Sequence, residues 1–149
     1  MRNSLDFSSW QGRLSTLLGL ALKPGWKRAG IAFVFLWFFI GSIAHFALTE
    51  TEMRIVPPYI PWPRAAVLVS GVCECLGALG LLWRPTRRAA GIGLFLVTLA
   101  VTPAHIYMLQ RPELFGVPLW ALWLRLPVQV ALLALIAWST VIAPRERRH

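Results

Sequence analysis

The stretch AAVLVSGVCECLGALGLLW, residues 65–83, decides how the chain folds, because it carries one charged residue, Glu74, in nineteen positions. About 20 apolar residues form a helix long enough to cross roughly 30 Å of hydrocarbon. Three other stretches share this character: AGIAFVFLWFFIGSIAHFAL (29–48), AAGIGLFLVTLAVTPAHIYML (89–109) and residues 120–143, whose apolar part begins after Arg125. Within a bilayer such segments must be helical, because their backbone groups find no water. Only Arg84 to Arg88 separates the second stretch from the third, so those two are expected to pack as an antiparallel hairpin. The predicted fold is all-α: an antiparallel bundle of four transmembrane helices.

Composition agrees. Of 149 residues, 57% are hydrophobic and 14% charged, against about 25% charged in ordinary soluble domains. There are too few charges to cover a soluble core. The basic residues are also unevenly placed. Eleven fall on the side holding residues 1–28, the 84–88 turn and the 144–149 tail, and four (Arg54, Arg64, Arg111, Arg125) on the other. The richer side is expected to be cytoplasmic. The chain is then a multi-pass protein of the plasma or inner membrane with both termini in the cytoplasm. Its net charge of +9 serves topology and anionic lipid, and calls for no nucleic acid.

Residues 1–28 form a cytoplasmic juxtamembrane segment. Trp10, Leu14, Leu17, Leu18 and Leu22 recur at helical spacing before Pro24 and Gly25, which predicts an amphipathic interfacial helix rather than a cleavable signal. Residues 29–143 form the membrane domain and 144–149 a basic tail. On the external side, TETEMRIVPPYIPWPR (49–64) has four prolines, which fix an extended course, and Tyr59 and Trp62, which suit headgroup level. It is read as an interfacial anchor or a lid. The second external loop, from Gln110, carries Pro112, Phe115 and Pro118 and is read the same way.

Ionisable groups within spans are costly and mark sites. Glu74 lies roughly 14 Å from the outer boundary, with Ser70 one turn above it. The first span supplies Ser42 and His45. The third supplies Thr98, Thr102 and His105 in one stripe, and Pro103, which is expected to kink it. The fourth supplies Arg125 and Gln129. The two histidines lie roughly 4 to 6 Å inside the boundary. The cytoplasmic halves hold nothing comparable. These groups predict an outward-facing polar pocket, with Glu74 at its floor as the proton-handling candidate. His45, Ser70, Thr102, His105, Arg125 and Gln129 are the other ligand-binding candidates. The alternative is a polar network that only joins the helices.

Cys73 and Cys75 flank Glu74 and point to opposite sides of a helix, so they are read as small buried thiols at a helix contact rather than a disulfide. Gly71, Gly77 and Gly80 would let helices approach closely, within one chain or in a homodimer. The depth difference between Glu74 and the histidines argues against a shared metal ion, and no metal is expected. Haem ligation by the two histidines is disfavoured, and no flavin or iron–sulfur motif is present.

The order of features resembles the DoxX family of small four-helix membrane proteins. The resemblance rests on His45-Phe46, on Ile55-Val56-Pro57-Pro58 with Pro61, on Ser70-Gly71 with Glu74, and on Gly80-Leu81-Leu82 before Pro85. It continues with Pro103-Ala104-His105-Ile106-Tyr107 and Leu124-Arg125-Leu126-Pro127 with Gln129. It runs from about Arg28 to Ser139. Many relatives carry asparagine where His105 stands, so the resemblance passes no role to that histidine. The resemblance implies a redox-linked membrane subunit that handles quinone or a small sulfur compound beside a membrane or redox partner. The residues alone equally allow a non-enzymatic binder or carrier, or a structural scaffold, and leave open whether the chain is an enzyme.

Overall fold

The computed structural model describes residues 24–141. The expected amphipathic N-terminal helix and the basic tail lie outside the described residues. The chain is all-α there: α1 (Pro24–Ala47), α2 (Thr49–Met53), α3 (Pro63–Leu82), α4 (Arg87–Ala100), α5 (Thr102–Gln110) and α6 (Leu119–Ile136). A 3-10 turn, Pro112–Leu114, precedes α6, and a π turn, Ala137–Val141, extends it. Among the described residues four helical runs are long and apolar enough to cross a membrane: Gly25–Ala47, Pro63–Leu82, Arg87–Gln110 and Leu119–Val141. The chain is a multi-pass membrane protein.

The four runs follow the predicted spans with shifted ends. The third is broken. The helix stops at Ala100, Val101 turns with φ −85° and ψ −5°, and α5 restarts with Pro103 in its first turn. Proline has no N–H to continue the ladder, so the expected kink is realised as a break. Pro127 stands inside α6 without ending it.

Each span buries one stripe and exposes the rest to hydrocarbon. On α3 the stripe is Val67, Gly71, Glu74, Ala78 and Leu81, the three-to-four spacing of a single helix face. Val34 and Phe38 of α1, Ala78 and Leu81 of α3, Leu94 of α4, and Leu132 and Ile136 of α6 form the apolar core. Interhelical contact relies on small residues, as is usual where hydrophobic force between helices is absent. A Cβ on Gly77 would lie 2.6 Å from Leu94 Cγ, and one on Gly80 2.8 Å from Ala90 Cβ. Thr140, in the π turn, occupies the space beside Gly91.

That turn corrects one expectation. Ser139 and Thr140 are buried polar residues in a half of the fourth span read as purely apolar. Thr140 Oγ1 donates to the Ile136 carbonyl at 2.7 Å. A hydroxyl satisfied by its own helix costs little in an apolar setting.

The connection between α2 and α3 departs from an extended course. Arg54, Ile55 and Val56 donate to the carbonyls of Thr51, Glu52 and Met53, and Ile60 N–H donates to the Pro57 carbonyl at 3.0 Å. Proline's fixed φ suits such turns as well as it suits an extended strand. Pro57 is fully buried, while Tyr59 and Trp62 are exposed, so the segment packs inward at one point and presents its aromatics outward.

Candidate functional site

Glu74 lies eleven residues into α3, about 16 Å from its first residue. It is 8% exposed. Room for its carboxylate comes from α1, where a Cβ on Gly41 would stand 3.0 Å from Oε2. One turn earlier on α3, a Cβ on Gly71 would stand 2.8 Å from His45 Cβ. These two bare positions, one on each helix, let α1 and α3 close on each other at the level of the acid.

The imidazole of His45 stands between two carboxylates. Its Nε2 lies 3.4 Å from Glu74 Oε1, and its Nδ1 pairs with Glu52 Oε2. Glu52 comes from α2, just past the end of the first span, and is partly exposed. The link is braced by Thr49, whose Oγ1 donates to the His45 carbonyl at 2.7 Å. The row Glu74–His45–Glu52 therefore leads from mid-span to beyond the span's end. It bridges the expected depth difference between Glu74 and His45. His45 is level with Gly71, one turn from Glu74, and the two side chains cover the remaining distance.

Glu52 is missing from the predicted site. Its signal exists in the sequence: His45, Thr49 and Glu52 are spaced i, i+4 and i+7, one face of a helix. It lies past the apolar stretch, where a carboxylate is unremarkable.

The second polar group joins the broken third span to the fourth. Gln129, buried on α6, receives and gives. Its Oε1 lies 2.6 Å from His105 Nδ1, and its Nε2 donates to Thr102 Oγ1 at 2.7 Å and to the Thr98 carbonyl at 2.8 Å. The amide thus uses both its acceptor and its donors, and it spans the break around Val101.

Among the described residues no hydrogen bond or ion pair joins the two groups, so the structure brings the predicted residues together as two clusters. Ser70 belongs to neither: its hydroxyl donates to the Val67 carbonyl at 2.8 Å. Arg125 is exposed rather than turned inward, and its Nη1 donates to Met108 Sδ at 3.3 Å. Ser42 is buried and donates to the Phe39 carbonyl at 2.8 Å. Both cysteines are free, and Cys73 is exposed rather than buried at a helix contact. Among the described residues no three His, Cys, Asp or Glu side chains are grouped to hold a metal ion.

Chemically, the first cluster is suited to proton exchange. A histidine with an acid at each ring nitrogen can take a proton at one and give a proton from the other. The second is a saturated hydrogen-bond knot between helices.

No curated protein and no solved structure matches the chain. Nothing in the comparisons links it to the DoxX family. A family model described as a domain of unknown function, DUF8561, matches residues 34–143, most of the chain, and the protein belongs to that family.

Proposed function

We propose that this chain is a proton-handling protein of the plasma or inner membrane, working through the row Glu74–His45–Glu52. One observation carries the reading: a single imidazole faces a mid-span carboxylate with one nitrogen and a carboxylate beyond the span with the other. A proton leaving Glu74 for Nε2 is matched by the Nδ1 proton passing to Glu52, so the number of protons is conserved. A carboxylate in mid-membrane is costly unless it has a partner or a task, and here it has an imidazole leading outward.

In this proposal the four spans form an antiparallel bundle with both termini in the cytoplasm. The amphipathic N-terminal helix lies on the inner surface, and Glu52 faces outside. The eleven-to-four distribution of basic residues supports that orientation. The broader role, a redox-linked subunit whose protons come from or go to a quinone or small sulfur compound, rests on the resemblance to the DoxX family. Under it His45 and Arg125 would orient the ligand.

A second reading has its own support. Gln129 is satisfied by His105, Thr102 and Thr98 together, which favours a purely structural, non-enzymatic role for that cluster.

Infrared difference spectroscopy of the reconstituted protein, with external pH stepped, tests the proton reading. The expected result is a carboxyl band that disappears in Glu74→Gln and responds more slowly to pH in His45→Ala. A spectrum unchanged by Glu74→Gln refutes it. Under the scaffold reading no pH-sensitive carboxyl band appears, and Glu74→Gln lowers only the yield of folded protein.

A further inference from the structure

A groove of about 160 Å³ runs between α1 and α6, lined by Phe33, Trp37, Val128, Ala131, Leu132 and Leu135. Phe33, Trp37, Val128 and Ala131 are exposed, so the groove opens on the surface that hydrocarbon covers. Every lining side chain is apolar.

Arg125 stands at the edge of the same face of α6. At about 100° per residue it lies about 20° from Leu132 and about 60–80° from Val128 and Leu135, between the groove and the buried stripe of Leu122, Gln129 and Ile136. Arg125 sits six residues into α6, about 9 Å from its start. Its guanidinium offers five donors, and the contact it makes is to a thioether sulfur, a weak acceptor. Among the described residues no carboxylate pairs with it. A cation exposed on a lipid-facing helix without a protein counter-charge is expensive. Charge complementarity therefore indicates an anionic headgroup at this position, and the apolar groove below it fits what such a headgroup carries.

We propose that Arg125 and the groove together bind one anionic phospholipid, with its phosphate on the guanidinium and an acyl chain along α6 between Phe33 and Leu135. Arginine's planar fork matches phosphate geometry. From Arg125 to Leu135 the helix rises about 15 Å, so headgroup and chain occupy successive levels of one surface. The site is separate from the Glu74–His45–Glu52 row and does not depend on its role.

Native mass spectrometry of the delipidated protein tests this, with phosphatidylglycerol and phosphatidylcholine of matching chains titrated in turn. The expected result is a single phosphatidylglycerol adduct held at least about fivefold more tightly than phosphatidylcholine. Arg125→Gln removes the preference, and Arg125→Lys, which keeps charge but not the fork, retains part of it. Ala131→Trp fills the groove and lowers retention of both lipids. Arg111→Gln, at an exposed cation beyond α5, leaves both unchanged. Equal retention of the two lipids by the unaltered protein overturns the proposal. So does an undiminished preference in Arg125→Gln, or a preference lost equally in Arg111→Gln. If Arg125→Gln does not fold, Arg125→Lys and Ala131→Trp decide: unchanged lipid retention in both overturns the proposal.

Discussion

The imidazole of His45 reaches Glu74 because position 71 carries no side chain. A methyl group there would sit 2.8 Å from His45 Cβ, closer than packed carbon atoms approach. Gly71→Ala is therefore expected to push α1 from α3 and cost about 1–3 kcal/mol, the usual range for overpacking. Gly93 provides the comparison, since a methyl group added there would meet nothing within 4 Å. Gly93→Ala should stay within about 0.5 kcal/mol. Unfolding in mixed micelles measures both. Equal effects would mean that the close approach at Gly71 is not what holds the histidine in place.

At the scale of elements, the third span is two helices held as one by the fourth. Gln129 reaches Thr98 before the break and Thr102 and His105 after it. Gln129→Leu is expected to lower stability by about 0.6–1.7 kcal/mol, between the average and the maximum for polar contacts between membrane helices. It should also speed amide exchange over residues 98–105 while leaving α3 unchanged. Exchange that rises evenly through the bundle would contradict a local clasp. Much of this level is legible in the chain itself. Apolar length locates four spans, and Pro103 foretells the break. The stripe of Thr98, Thr102 and His105, with Gln129, names the residues that meet. What periodicity does not reveal is pairing. Helical spacing gives the face of a side chain, not which neighbour lies opposite, so one expected pocket becomes two clusters. The cost of charge in lipid argues for turning Arg125 inward, yet a long side chain near a helix end can reach toward headgroups instead. Glu52 escapes a reading by spans because its partner lies across a helix break at Leu48.

At the scale of the whole molecule, the proposed orientation has a direct check. In a variant with Cys73→Ala and Cys75→Ala, a single new thiol is placed by Glu113→Cys or by Thr86→Cys. A membrane-impermeant maleimide added to intact cells is expected to label the first and to reach the second only after permeabilisation. The reverse pattern would place Glu52 on the cytoplasmic side and invert the direction of the proton row. The ends of α3 have a consequence of another kind. Trp62 and Trp83 flank this helix and are 73% and 70% exposed. Twenty-one residues of rise separate them by about 31 Å, close to the roughly 30 Å hydrocarbon thickness of an average bilayer. Indole rings settle at the headgroup boundary, so this pair fixes the thickness the protein matches without strain. In a markedly thicker membrane one ring must sink into acyl chains or the surrounding lipid must thin, and a thinner one forces the helix to tilt.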